Sequence, residues 1–389
     1  MEIKIPLRQH VGGINSPIVK CGDKVYRGQL IAVPNGLGAN IHSSVSGEII
    51  DIDEGEITIK ALPNQPDDYI KIEDSDDYLE LIKEAGIVGA GGAGFPTHIK
   101  LNTKLQSGFV VINAAECEPL LSHNMTRIME DPDLILRGLK YVMEITGAKK
   151  GYIAIKPKNK KPLIELGKAI KSYKDIEAKY LPDMYPAGDE RVIIRELFGI
   201  ILKPGQLPLE ANVVVSNIET IRNIVLAIEE RRPVITKDLT VDGRVNSGEK
   251  VFLDVPIGTS IKSIIDDCGG YIEPHGEIVL GGPFMGKAGG EDSLVTKTTG
   301  GILVSLPFPN DSRKFGVLGC ECGAQIDRLT AIVENMGGEV VSTANCKRMK
   351  DVNGRLRCEE PGVCPGQAEK VMGLKKNGAE AIIVGTCET

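Results

Sequence analysis

The chain has 389 residues, 42% of them apolar and 25% charged, with 45 glycines, nine cysteines, no tryptophan and a formal net charge of −7. This composition excludes a disordered chain, and the acidic surplus argues against a nucleic-acid binder, whose affinity would come from a basic face. No run of about 18 apolar residues occurs, so no membrane-spanning helix is expected. An odd cysteine count behind an opening with no apolar leader points to cytoplasmic thiols rather than a secreted disulfide framework.

Residues 1–70 read as a small all-β module. Short apolar stretches at 18–20, 22–25, 29–32, 47–52 and 57–60 are separated by turn residues every few positions. The run from Val19 to Ile31, followed by Ser43-Ser44-Val45-Ser46-Gly47, resembles the flattened β-sandwich of lipoyl and biotinyl carrier domains. No lysine stands at the hairpin position those carriers modify, which favours a structural or docking role.

From residue 75 the period changes. A helix is expected over 76–86, then a glycine-rich loop, a strand at 109–113, a helix at 131–147 and a strand at 151–156. A helix at 161–174, a short strand ending near 181 and a helix at 189–198 follow, so residues 75–205 predict an α/β layer with a largely parallel sheet. Residues 206–310 turn strand-rich, with two short helices at 219–230 and 260–268. Residues 316–389 form a further α/β unit, with helices at 326–336 and 367–376 and strands at 339–342 and 381–384, and it holds most of the cysteines. The expectation is a multidomain α/β protein.

Gly89-Ala90-Gly91-Gly92-Ala93-Gly94 fits the G-x-G-x-x-G pattern, but a helix precedes the loop and a strand follows it. The dinucleotide fingerprint needs the reverse order, and a phosphate-binding P-loop needs Gly-Lys-Ser/Thr, so both readings fail. Such bare backbone still lets a flat or phosphorylated ligand approach N–H groups. The strand Val110-Val111-Ile112 delivers Asn113-Ala114-Ala115-Glu116-Cys117-Glu118-Pro119 at its C-terminal end, where α/β sheets bind ligands. Asparagine offers a donor and an acceptor for a heterocycle edge or sugar hydroxyls. By burial habit alone, Glu116 and Glu118 would be solvated loop charges.

Taken together, 86–97, 113–119, Tyr185-Pro186-Ala187-Gly188-Asp189-Glu190 and Val215-Ser216-Asn217-Ile218-Glu219-Thr220 resemble a known flavin-binding core. It is shared by the NADH-oxidising subunit of respiratory complex I and the RnfC protein of the Rnf electron-transport complex. Gln9-His10-Val11-Gly12 and Gly281-Gly282-Pro283-Phe284-Met285-Gly286 resemble the Rnf branch in particular. The resemblance implies that Gly89, Gly91, Gly92, Gly94, Asn113, Glu116, Gly188, Glu190, Asn217 and Thr220 hold FMN. It places Glu118 near the nicotinamide of NADH and offers Lys100 or Lys104 to the FMN phosphate as a point charge. It also implies a β-grasp module of the SLBB type within 206–310. Two departures stand out: Ala115 replaces an acid of the complex I protein, and Asp189 replaces a glutamate.

RnfC proteins extend into two ferredoxin-like clusters with C-x2-C-x2-C-x3-C-P spacing, which this chain lacks. It has instead Cys320-Glu321-Cys322, Cys346, Cys358-x5-Cys364-Pro365 and Cys387. One reading is an iron–sulfur cluster with four ligands among Cys320, Cys322, Cys346, Cys358 and Cys364. The other, favoured because C-x-C is a poor cluster spacing, is a thiol relay with low-pKa thiolates at helix starts: Cys322 before one helix, Cys364 before another. Cys21 and Cys268 read as small hydrophobes, and Cys117 as either. Such a tail resembles that of the electron-transfer proteins accompanying proline reductase in amino-acid-fermenting anaerobes. Because a strand at 381–384 delivers Cys387 with no helix after it, the expectation is a chain cut short, or a selenocysteine codon read as a stop.

The function expected from all of this is a cytoplasmic flavoprotein, peripheral to a membrane at most through partners. Electrons would pass from NADH to FMN, then through Cys320, Cys322 and Cys364 to a reductase or other redox protein. The rival is an adaptor that kept the flavin fold without its catalysis. Colour separates the two: a yellow protein bleached by anaerobic NADH supports the enzyme.

Overall fold

A computed structural model describes residues 2–385, and Cys387 lies outside them. The N-terminal unit contains β1 (Glu2–Pro6), β2 (Ser16–Pro17), β3 (Lys24–Val25), β4 (Leu30–Val33), β5 (Ile41–His42), β6 (Gly47–Ile52) and β7 (Glu56–Ala61). One sheet runs β1-β7-β6-β3 and a second β2-β4-β5, all antiparallel. Period-2 alternation drives it: Ile3 and Ile5 of β1 point inward to meet Ile49, Ile57 and Ile59, while Glu2 and Lys4 face water.

The next unit contains α1 (Tyr78–Glu84), α2 (Thr97–Leu101), β8 (Phe109–Ala114), α3 (His123–Glu130), α4 (Pro132–Thr146), β9 (Lys150–Ile155), α5 (Lys160–Ala169), β10 (Ile176–Tyr180), α6 (Glu190–Phe198), β11 (Val213–Asn217) and α7 (Ile218–Glu230). Its four strands are parallel in the order β10-β9-β8-β11. Both faces of β8 are covered: Val110 and Ile112 pack with α4 and α7 residues, and Val111 packs with Ile193 and Ile194 of α6. That double burial is why these strands read as continuous apolar runs. Asp131 caps α4 with Pro132 at its first position, and Gly147 ends it at φ 69°. The parallel sheet takes its edge strand from 213–217, beyond the 75–205 segment predicted for it, because β11 pairs with β8 from Val213↔Phe109 to Asn217↔Asn113. Helices α2 and α3 were not anticipated; α3 follows the motif loop directly.

A mixed sheet follows, in the order β13-β12-β16-β14-β15, from β12 (Thr236–Gly243), β13 (Lys250–Pro256), β14 (Ile278–Leu280), β15 (Lys287–Gly289) and β16 (Gly301–Val304), with α8 (Ile261–Asp267) against it. It is tied to the parallel-sheet unit by ion pairs, one of them fully buried. Lys237 pairs with Glu219 of α7, and Arg127 of α3 reaches both Asp238 and Asp254.

The last unit has β17 (Lys314–Gly319), α9 (Ile326–Asn335), β18 (Glu339–Asn345), β19 (Met349–Val352), β20 (Arg355–Cys358), α10 (Ala368–Lys376) and β21 (Ala381–Val384). A parallel sheet β18-β17-β21 is interrupted by the unpredicted β19–β20 hairpin.

Candidate functional site

The glycine-rich loop is a pinched turn. Val88 bridges Pro96, and Gly89 N–H donates to Phe95 O at 3.0 Å, so residues 90–94 bulge from a closed neck. The loop lies over the N-terminus of α7: Ala90 N–H donates to Thr220 Oγ1 at 2.9 Å. Asn217 caps that helix, its Oδ1 accepting from Glu219 N–H at 2.9 Å. A Cβ on Gly91 would stand 2.6 Å from Asn217 Nδ2, whereas one on Gly92 would meet nothing. Gly94 has a different duty. At φ 74° it closes against His10 and Thr298, and its carbonyl accepts from Val11 N–H, locking the cradle to the N-terminal unit.

The second group gathers at the C-terminal end of β8. Asn113 Nδ2 donates to Gly188 O at 2.9 Å, and its Oδ1 accepts from Ala115 N–H at 3.1 Å. Gly188 must be glycine, because a Cβ there would lie 2.8 Å from that of Cys117. Cys117 is a packed thiol, pushed up to about 11 by burial. Lys100 Nζ meets Glu190 Oε1 at 2.6 Å, which brings two of the expected flavin residues together. Lys104 does not join them. It donates to Ile145 O at the end of α4, so its role is to cap that helix.

Glu116 and Glu118 line one cavity of about 440 Å³, with Leu121, Met125, Lys158 and Asn159 among its walls. Glu116 sits at φ 41°, a conformation that costs a non-glycine residue about 1 kcal/mol or more. Burial pushes its carboxyl up to about 7, against hydrogen bonds from Asn124 that pull it down. Its Oε2 is buried without a partner. Glu118 is engaged instead: it accepts from Phe284 N–H at 2.9 Å, Met285 N–H at 3.0 Å and the Tyr185 hydroxyl at 3.4 Å. Burial raises its pKa as well. A Cβ on Gly282 would fall 2.3 Å from the Glu118 side chain, and the Tyr185 and Phe284 rings stand 4.4 Å apart. Phe284 and Met285 therefore belong to the site; the sequence marked their segment as an Rnf-like motif without placing them there.

The cysteines correct the sequence reading in several places. Helices α9 and α10 begin at Ile326 and Ala368, each four residues past Cys322 and Cys364, so neither thiol sits at a helix start. Cys322 is pushed up, not down, by hydrogen bonds to Cys320 and Cys358, and it is Cys358 that the same contact lowers. Cys320, Cys322, Cys346 and Cys358 line a cleft of about 20 Å³, and Cys364 joins its wall from an exposed loop. Among the described residues no three of the five form a group that could hold one metal ion. Cys268 is a core residue as expected, whereas Cys21 is exposed.

The cysteine-rich unit docks beside the first two groups. Arg191 of α6 donates to Cys358 O at 2.8 Å and to Glu321 Oε2 at 3.1 Å, and Arg195 donates to Pro361 O at 2.8 Å. Glu321 also takes Arg357 and the Cys358 N–H. Gly362 lies against Met184 and Pro186, two residues before Gly188. Nothing local in the sequence signals this contact.

An arrangement of this kind fits a flavin mononucleotide. A Cβ on Gly91 would run into Asn217, Thr220 ties the loop down over α7, and the α7 N-terminus suits a phosphate. Residues 82–226 match the family model described as the Nuo51 FMN-binding domain, and 1–73 match the RnfC barrel sandwich hybrid domain. The chain is 34% identical over 340 residues to the RnfC-type component of the proton-translocating ferredoxin:NAD(+) oxidoreductase complex of Clostridium ljungdahlii, covering 82% of this chain and 74% of that one. It is 33% identical to the corresponding component of the Na(+)-translocating complex of Acetobacterium woodii, covering 77% and 72%. Cobalamin reductase PduS of Salmonella typhimurium is 39% identical over 231 residues, or 59% of this chain and half of that one. An NAD+-reducing [NiFe]-hydrogenase in the air-oxidized state shares the fold at 18% identity and a TM-score of 0.50, covering 61% of this chain and 47% of the other. Among the described residues no helix is long and apolar enough to cross a membrane. The chain belongs to the RnfC-like family.

Proposed function

We propose that this protein is an electron-transfer flavoprotein that takes electrons from NADH through FMN and hands them, by way of its cysteine-rich unit, to a partner reductase of the proline-reductase type. The observation that carries the reading is the convergence of Gly91, Asn217 and Thr220 with Asn113, Gly188, Lys100 and Glu190 at the C-terminal ends of β8 and β11. The α7 N-terminus would hold the phosphate, with Lys100 adding positive charge, and Thr220 would fix the glycine loop over it. Asn113 and the Gly188 backbone would orient the ring system. Bound FMN would supply hydride acceptance and onward electron transfer; the chain's own task is binding, orientation and exclusion of water. Glu118, held between two N–H groups and Tyr185, fixes the 282–286 loop over this end of the sheet and positions NADH. The relatives' names, as components of ferredoxin:NAD(+) oxidoreductase complexes, support NAD(H) as the donor and peripheral attachment to a larger assembly.

Adding FMN to the purified chain under argon and then NADH tests the reading. Bleaching of bound flavin on a single-turnover timescale is expected; a chain that cannot be loaded with FMN would leave the adaptor reading standing.

A further inference from the structure

The cysteine-rich unit places its thiols at the C-terminal end of a parallel sheet, where α/β folds do their chemistry. Cys320 follows β17 and Cys346 follows β18, while Cys358 ends β20 and folds back over them. Cys346 is occupied with other partners: Gln367 Nε2 stands 2.9 Å from its sulfur, and Arg348 N–H also donates to it. Cys322 is central in the remaining group, within hydrogen-bond distance of both Cys320 and Cys358. It is also the member with access to solvent, since Cys320 and Cys358 are only 5% and 4% exposed. A bridge between Cys320 and Cys322 would close a ring over a single intervening residue. One between Cys322 and Cys358 joins two separate segments already in contact, where disulfide geometry is easier to reach.

We propose that Cys322 and Cys358 form a two-electron dithiol–disulfide couple, with Cys322 the sulfur that exchanges with a disulfide on the partner and Cys358 the sulfur that resolves it. Cys322 gives its proton to the hydrogen-bonded Cys358 sulfur and attacks one sulfur of the partner's disulfide, forming a mixed disulfide and releasing the partner's first thiolate. Cys358 then passes that proton to the released thiolate and attacks the Cys322 sulfur, which closes the internal disulfide and releases the partner's second thiolate. The partner gains two electrons and that proton, and the couple loses them. NADH, through the flavin site, returns two electrons and one proton. This resupply alone rests on the function proposed above, and the docking of Arg191 and Gly362 beside the Tyr185–Asp189 loop is what brings the couple to that site.

The full chain, purified anaerobically, is equilibrated in mixtures of dithiothreitol and its cyclic disulfide, quenched in acid, alkylated and mapped by mass spectrometry. Cys322 and Cys358 are expected to lose alkylation together, with a single midpoint, and to appear in one cross-linked peptide. Cys346→Ser should leave that midpoint in place, while Cys322→Ser and Cys358→Ser should each abolish it with the circular-dichroism spectrum unchanged. Absence of this cross-link at every ratio overturns the proposal. So does stoichiometric iron or zinc whose removal is needed before these thiols alkylate. Adding NADH to the FMN-loaded, oxidised chain separates the two ideas: a couple that dithiothreitol opens and NADH does not leaves the couple standing and removes the flavin route.

Discussion

Glu116 and Glu118 stand two residues apart after β8, yet their surroundings give them different work. Glu118 is a latch whose two carboxylate oxygens are both used. Glu118→Ala would leave the Phe284 and Met285 N–H groups without their acceptor, so a several-fold rise in KM for NADH and faster proteolytic cleavage at 282–286 are expected, with FMN affinity nearly unchanged. Glu116 answers to pH. Its folded pKa, about 7, lies above the ordinary 4.5, so its contribution to stability is full below pH 4.5 and is lost as pH rises through 7. At pH 8 Glu116→Gln is expected to be more stable than the parent by up to about 3 kcal/mol, and at pH 4 to lose that advantage. Urea unfolding at both values checks this; parallel curves for the two proteins would sink it. Gly91→Ala tests the cradle. Overpacking at this distance costs about 1–3 kcal/mol, roughly a 5- to 150-fold loss of FMN affinity, measurable by flavin fluorescence quenching.

At the scale of elements, the parallel sheet and α7 do most of the positioning. Helix α7 begins at Ile218, directly after β11, whose last residue Asn217 caps it, so one strand-to-helix junction supplies the cap, the Gly91 contact and Thr220. The same helix is anchored on its far side by Glu219, which Lys237 and the Asp238 N–H both meet in a fully buried setting. Removing one partner of such a pair strands the other. Lys237→Met is therefore expected to cost about 3–5 kcal/mol, and Lys237→Met with Glu219→Gln to recover part of it. Calorimetry of the single and double variants decides the point. The helices α4, α6 and α7 were legible in the sequence from their caps and apolar spacing: Asp131-Pro132, Asp189 and Asn217 are ordinary start signals. The hairpin β19–β20 was not, since Met349–Val352 and Arg355–Cys358 are partly exposed and carry little alternation. Edge pairing without a buried face leaves no hydrophobic pattern to read.

At the scale of the whole molecule, the junctions between units are polar and specific. Lys297 is 2% exposed and donates to Asn40 O at 2.6 Å and Gly86 O at 2.7 Å, joining the N-terminal unit, the start of the glycine loop and the segment before β16. Burial lowers its pKa to about 7. Arg191 performs the corresponding task for the cysteine-rich unit. In a double-mutant cycle, Arg191→Ala and Glu321→Ala are expected to couple by about 1–3 kcal/mol. Either change should slow the appearance of thiols after NADH addition while leaving flavin bleaching intact, as stopped-flow absorbance and thiol labelling would show.

The sequence by itself determined the classes of the units, the spacing of helices and strands, and the motif residues Gly91, Asn113, Gly188, Asn217 and Thr220. Caps, periodicity and close-packed glycines are local properties, written in neighbouring residues. Only the tertiary structure decided that Lys104 caps a helix while Lys100 meets Glu190, that β11 belongs to the parallel sheet, and that Glu118 is held by Phe284 and Met285. It also reassigned the thiols, with Cys358 and not Cys322 held toward the thiolate. The reason is physical. A hydrogen bond between residues separated by more than a hundred positions, or a thiol shifted by another thiol across a cleft, depends on which surfaces meet, and no local pattern in the chain records that.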